Sequence, residues 1–219
     1  MKIYRLPSTI RALAFDMDLT LYTNPEYGQC QIDRLIEKLG KLRGLSFDDM
    51  KREIETARET WKLSHDGKAP SLSNIFLGYG IGMEENIRWR EEVCEPAMFI
   101  SEDTRLRETL GELSRSYTLG VVTNNPALVA RKTLAALGVE EFLPIVVALD
   151  TCNCAKPHEI PYRKFSELSS SPPEACVSIG DRYDIDLAIP LELGFGAVLV
   201  DGVEDVYKLP EVLGRNSIY

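Results

Sequence analysis

Five short apolar runs recur along the 219-residue chain, each bounded by polar or turn-forming residues. They are Leu13-Ala14-Phe15, Leu119 to Val122, Ile145 to Leu149, Cys176 to Ile179 and Ala197 to Val200. Apolarity that is continuous rather than alternating, and rich in Val and Ile, belongs to strands covered on both faces of a parallel sheet. Helical spacing fills the gaps. Leu106, Leu110 and Leu113 follow a candidate N-cap, Ser101, while Leu128, Leu134 and Leu137 precede Gly138, a natural helix stop. Two more helices are expected, from about Pro161 through Phe165 and Leu168, and from about Asp186 to Leu193. Strand and helix in alternation predict an α/β fold: a doubly wound parallel sheet with helices on both faces.

The alternation lapses once. From about Asn24 to Pro96 no convincing strand is present, only amphipathic helical patterns. Ile32, Leu35, Ile36 and Leu39 make one apolar face, closed by Gly40 and Gly44. Ser46-x-x-Asp49 has the form of a capping box, and Met50, Ile54, Ala57 and Trp61 continue a second face. Leu72, Ile75, Phe76 and Tyr79 form a third pattern and Ile87 to Val93 a fourth. The simplest organisation is a helical module inserted after the first strand of the α/β core. At roughly 150 residues per domain, the chain has room for one large core with a modest second module.

Charge narrows the partners. With 25 Lys plus Arg against 34 Asp plus Glu, the net charge is −9, contrary to what neutralising nucleic-acid phosphates requires. No run of about 18 apolar residues offers a membrane span, and Met1 to Leu13 lacks an apolar signal core, so a cytoplasmic protein is expected. The five scattered cysteines read as reduced thiols, and Cys152-x-Cys154 with His158 lacks a second cluster to complete a metal site.

The chemistry-bearing residues sit at the ends of the strands. Asp16 follows the first run, Thr123 the second, Asp181 the fourth after Gly180, and Lys156 trails the third by a short loop. In a parallel sheet all four emerge at the carboxyl edge, where open α/β folds bind ligands. Asp16-x-Asp18-x-Thr20 places two carboxylates on a turning chain, and Asp181, Asp184 and Asp186 add more. Converging carboxylates repel one another unless a cation joins them, and an oxygen-only set favours Mg²⁺. Lys156 adds a compact positive charge, and Thr123-Asn124-Asn125-Pro126 a hydroxyl and a helix start. Together these suit a dianionic phosphoryl group. Singly each is ordinary, as turn residue, cap or solvated lysine; their order after successive strands is not.

Phe15-Asp16-Met17-Asp18-Leu19-Thr20-Leu21-Tyr22, Val121-Val122-Thr123-Asn124-Asn125, Lys156-Pro157 and Ile179-Gly180-Asp181-Arg182-Tyr183-Asp184-Ile185-Asp186 resemble the four signature motifs of the haloacid-dehalogenase-like hydrolase superfamily. Lys156-Pro157-His158-Glu159-Ile160-Pro161 departs slightly from the commoner Lys-Pro-x-Pro spacing. The resemblance implies a Rossmann-like core over 1–23 and 97–219, with 24–96 as an α-helical cap. It implies Asp16 as nucleophile and Asp18 as general acid and then base. It further implies Mg²⁺ held by the Asp16 side chain, the Asp18 carbonyl and Asp181, with Asp186 behind them. Thr123, Asn124 and Lys156 would hold the phosphoryl oxygens, and Thr20 would brace the loop.

Asp18 points to phosphoryl transfer, because members that cleave carbon–halogen bonds lack it. Phosphate-monoester hydrolysis of a small phosphorylated metabolite is the leading expectation. A phosphosugar mutase shares the chemistry, and a phosphonate hydrolase would need a cap lysine from among Lys38, Lys41, Lys51, Lys62 and Lys68. A non-catalytic phosphometabolite binder is a further alternative, but binding alone needs no acid–base carboxylate. His65, the one histidine in the cap, is expected at the surface, and Tyr22, Trp61, Phe76, Tyr79 and Trp89 are candidates for stacking on a base.

Overall fold

The computed structural model describes residues 1–65, 67 and 70–214. Strand β1 (Lys2–Arg5) is followed by β2 (Ala12–Phe15), and four helices come next: α1 (Pro25–Arg43), α2 (Phe47–Ser64), α3 (Leu72–Gly78) and α4 (Met83–Val93). The alternation then resumes with α5 (Thr104–Leu113), β3 (Thr118–Val122), α6 (Ala127–Ala136), β4 (Ile145–Val147), α7 (Leu149–Cys152) and α8 (Glu159–Leu168). It ends with β5 (Cys176–Gly180), α9 (Ala188–Leu193), β6 (Gly196–Leu199), α10 (Val203–Val206) and α11 (Leu209–Gly214).

The sheet has the order β1-β6-β5-β2-β3-β4. Strands β2 to β6 pair in parallel, and β1 pairs antiparallel with β6. Period-two packing explains the continuous apolar runs. On β2, Leu13 and Phe15 face a core layer with Leu106, Leu110 and Leu134 of α5 and α6. Ala12 and Ala14 face the opposite layer, with Tyr162 and Phe165 of α8. Burying one such large side chain is worth roughly 1.5–3 kcal/mol. Both faces are covered, so the fold is α/β and Rossmann-like, as the periodicity predicts.

The helices between β2 and β3 have a core of their own, in which Leu35, Leu39, Met50, Ile54, Phe76 and Trp89 pack together. Asn24 caps α1 by accepting from the Tyr27 N–H, with Pro25 in the first turn. Ser46 caps α2 through the Asp49 N–H, as its spacing predicts. None of the described helices is long and apolar enough to cross a membrane.

Several expectations need correction. Strand β1 has no signal in the sequence, because its four residues are exposed and carry no apolar run. Helix α1 continues through Gly40 to Arg43: at Gly40 a Cβ would lie 3.1 Å from the Leu45 carbonyl and 3.3 Å from the Met50 Cβ, so this glycine serves close packing, not termination. Gly44, at φ +70°, makes the stop. Asp103, not Ser101, caps α5 by accepting from the Leu106 N–H. Strand β4 ends at Val147, because Leu149 opens the short α7. Helix α8 starts at Glu159 and is capped by His158, two residues before Pro161.

Candidate active site

Four loops meet at the carboxyl ends of the parallel strands. Asp16 leaves β2 held by its N–H on the Ile179 carbonyl (2.8 Å). The chain then turns tightly, with Thr20 and Leu21 N–H groups returning to the Met17 carbonyl and Leu19 in the left-handed region at φ +59°. That turn separates the two aspartates: Asp16 meets Lys156, whereas Asp18 meets Tyr22 and Asn125. Thr20 is fully buried and its hydroxyl has no hydrogen-bond partner, so any bracing it supplies is by packing.

Lys156 is 2% exposed, and its Nζ donates to Asp16 Oδ1 at 2.6 Å and to Asp186 Oδ1 at 2.7 Å. Gly180 permits this arrangement: a Cβ there would stand 2.5 Å from the Asp186 Cβ and 2.8 Å from its Oδ2. Asp186 is further fixed by the Arg182 N–H on Oδ2 (3.0 Å) and by the Ser178 and Tyr162 hydroxyls on its carbonyl. The 183–187 segment is wound in a wide helical turn ahead of α9, so the expected helix from Asp186 begins in that turn. Asp184 takes no part in the acidic group formed by Asp16, Asp181 and Asp186.

Those three carboxylates each offer an oxygen within 4.8 Å of the other two. One ammonium cannot neutralise three carboxylates. Burial pulls the Lys156 ammonium down, but Asp16 and Asp186 outweigh it and hold its pKa above the ordinary lysine value. Burial and then the charge of Asp186 push Asp181 up to about 6. Burial likewise raises Asp16, against the opposing pull of Lys156. An all-oxygen set with excess negative charge fits a hard divalent cation.

Asp18 is held from two sides. The Tyr22 hydroxyl donates to Oδ1, and Asn125 Nδ2 donates to Oδ2 at 2.8 Å. Asn124 ties its loop to the lysine loop, accepting from the Lys156 N–H (2.6 Å) and donating to the Lys156 carbonyl (3.1 Å). Thr123 is buried and accepts from the Asn125 N–H at 3.1 Å, which leaves its hydroxyl proton to give. At the start of α6, Pro126 precedes the helix and the Ala127 N–H is taken by Asp150 at 2.9 Å, so that first helical N–H is not open to an anion.

A cavity of about 340 Å³ lies over these groups. Asp16, Asp18, Asn124, Lys156, Asp181 and Asp186 form its floor, and Gln31, Ile32, Leu35, Ser71, Leu72 and Arg90 close it from the inserted helices. Arg90, Asn125 and Tyr22 were missed as polar site residues. Tyr22 carries an aromatic signal in the sequence, and Arg90 lies within a helical pattern marked by its apolar face. Among the described residues, no aromatic lines the cavity. Phe76 and Trp89 belong to the core of the inserted helices, and Trp61 stacks on His65 at the surface. Lys38, Lys41 and Lys62 pair with glutamates, Lys51 lies over Phe47, and Lys68 lies outside the described residues. All five cysteines are free. His158 caps α8 and joins no metal group with Cys152 and Cys154 among the described residues.

A family model described as haloacid dehalogenase-like hydrolase matches residues 13–198. The chain belongs to that family. Among curated relatives, the phosphoglycolate phosphatase of Escherichia coli K12 is 26% identical over 196 residues, covering 82% of this chain and 77% of the relative. The pyrophosphatase PpaX of Bacillus cereus B4264 is 32% identical over 85 residues, 38% of this chain; the chain spans only 39% of that relative's length. The solved structure of the HAD phosphatase from Thermococcus onnurineus covers 94% of this haloacid dehalogenase-like chain and 98% of its own, with a TM-score of 0.61 at 21% identity. That likeness is one of fold.

Proposed function

We propose that the chain is a Mg²⁺-dependent phosphate-monoester hydrolase acting on a small phosphorylated metabolite through an aspartyl-phosphate on Asp16. The observation that carries the reading is the convergence of Asp16, Asp181 and Asp186 around the buried Lys156, beneath a cavity that Asp18 also lines.

In the first step a carboxylate oxygen of Asp16 attacks phosphorus, and the bond from phosphorus to the ester oxygen breaks. Asp18 gives its proton to that departing oxygen. In the second step Asp18 takes a proton from water, which attacks phosphorus and frees Asp16 with release of phosphate. Acid–base help of this kind is worth roughly 10²–10⁴-fold. Lys156, the Thr123 hydroxyl and the Asn124 amide hold the phosphoryl oxygens and oppose their charge. Asp16, the Asp18 carbonyl and Asp181, with Asp186 behind them, would hold Mg²⁺, which would supply charge neutralisation at the phosphoryl group.

The helices between 24 and 96 act as a cap that excludes water. A cavity of about 340 Å³ is at the low end for ligand sites, which favours a compact substrate. The described lining residues include no aromatic on which a base could stack, which favours an aliphatic phosphate over a nucleotide. The name of the E. coli relative is in keeping with that class.

A panel of phosphorylated metabolites, with p-nitrophenyl phosphate as reference, tests the reading by phosphate release. Turnover is expected with Mg²⁺, loss in EDTA, and recovery when Mg²⁺ returns; full activity after exhaustive chelation would remove the metal from the scheme. Acidity should matter too. With Asp181 near 6 in the metal-free site, protons compete with the cation below that pH. The apparent Mg²⁺ dissociation constant should therefore weaken by up to about tenfold per pH unit as pH falls below 6. Calorimetric titration with Mg²⁺ at pH 5 and pH 7.5 reads this, and equal affinities would contradict it.

A further inference from the structure

Arg90 is a charged group of the site for which the scheme above has no use. It lies on α4, is 8% exposed and lines the cavity, yet it forms no ion pair among the described residues. Its partners are all neutral: Nε donates to Asn86 Oδ1 at 3.1 Å, Nη1 to Asn125 Oδ1 at 3.1 Å, and Nη2 reaches Ser73 Oγ at 3.5 Å. Burying a cation on neutral acceptors is unfavourable, and packing alone does not need a charge here.

What the charge does is fix an amide. The Asn125 side chain has one accepting and one donating end, and a half-turn exchanges them. A guanidinium only donates, so it admits only Oδ1 on its side. The amide NH₂ is then forced towards Asp18, where it donates to Oδ2 at 2.8 Å. With the opposite orientation, an amide oxygen would face a carboxylate oxygen. The remaining donor to Asp18, the Tyr22 hydroxyl, sits four residues along the same loop and moves with it. The tie through Asn125 instead runs to a different strand, and from there to the inserted helices.

The geometry points to Arg90 as a positioning residue that orients Asp18 through Asn125, so that Asp18 is aligned for proton transfer when α4 is seated over the cavity. This rests on Asp18 being the acid–base group proposed above. It makes seating of the inserted helices a condition for efficient departure of the leaving group.

The test uses leaving groups that differ in their need for a proton. A departing alkoxide requires one, whereas p-nitrophenolate carries its charge unaided. In Arg90→Gln, the single-turnover rate of leaving-group release from an alkyl phosphate should fall about tenfold or more, and several-fold further than that from p-nitrophenyl phosphate, with KM for both little changed. Asn125→Ala should reproduce that selectivity, and the double variant should lose no more than either single one. Equal losses on the two esters, a loss carried by KM, additive losses, or no loss would each overturn the proposal; a rise in KM would make Arg90 a substrate contact. Should Arg90→Gln fail to fold by thermal melting, Asn125→Ala decides, because it leaves the guanidinium in place. A wild type inactive on both esters overturns the functional reading itself, and the positioning role with it.

Discussion

Asp16→Asn should lower phosphate release by at least about 10⁴-fold, because an amide cannot form the acyl-phosphate on which both steps depend. The fold should survive. Asn keeps the shape of the side chain and can still accept from Lys156, and the variant removes one of three crowded carboxylates. Burial already holds Asp16 above the ordinary carboxyl range, so replacing it with a neutral group relieves a strain in the metal-free protein. Thermal melting without metal is expected to give an unchanged or slightly higher midpoint, while turnover is lost. Steady-state assay of the purified variant against wild type reads the effect, and turnover within tenfold of wild type would move the nucleophile elsewhere.

Lys156→Met should act on stability as well as turnover. It leaves Asp16 and Asp186 buried with no counter-charge, a change that costs about 3–5 kcal/mol when one partner of a buried pair is removed. Denaturant unfolding at pH 7 in EDTA measures it. The sign of the pH dependence follows from the shifts. The folded pKa of Lys156 lies above its ordinary 10.5, so its contribution is fully present below that pH and is lost only as pH rises through the folded value. In the variant, the uncompensated carboxyls bind protons more readily folded than unfolded. Its deficit should therefore shrink as pH falls from 7 towards 5. A difference from wild type that stays constant over that range, or is below about 1 kcal/mol, would mean that Lys156 is not the counter-charge the geometry makes it. Turnover should fall steeply too, since the same ammonium opposes charge on the phosphoryl group.

Both predictions concern groups that local sequence exposes well. Continuous apolar runs mark strands buried on both faces, and a polar residue just past such a run lies at the carboxyl edge. Asp16, Thr123, Asp181 and, through its loop, Lys156 could be placed at one edge from that rule alone, and the structure brings them there. The helical stretch from 24 to 96 was equally legible, because amphipathic spacing and the Ser46 cap are local signals.

Contacts between distant segments carry no such signal. Nothing near Arg90 in the chain says that it will meet Asn125, 35 residues on, nor that Asn125 will reach back to Asp18. The identity of Asp186 rather than Asp184 as the partner of Lys156 depended on the wide turn at 183–187 and on the space left by Gly180. That the first N–H of α6 is taken by Asp150, from α7, has no local signal either. Hydrophobic periodicity thus determined the layers, the parallel edge and the residues gathered along it, since burial of a strand or helix face is written in the spacing of its own side chains. Only the tertiary structure decided which polar groups pair across that edge, because a hydrogen bond needs partners about 3 Å apart and the chain folds such partners together from positions that share no local pattern.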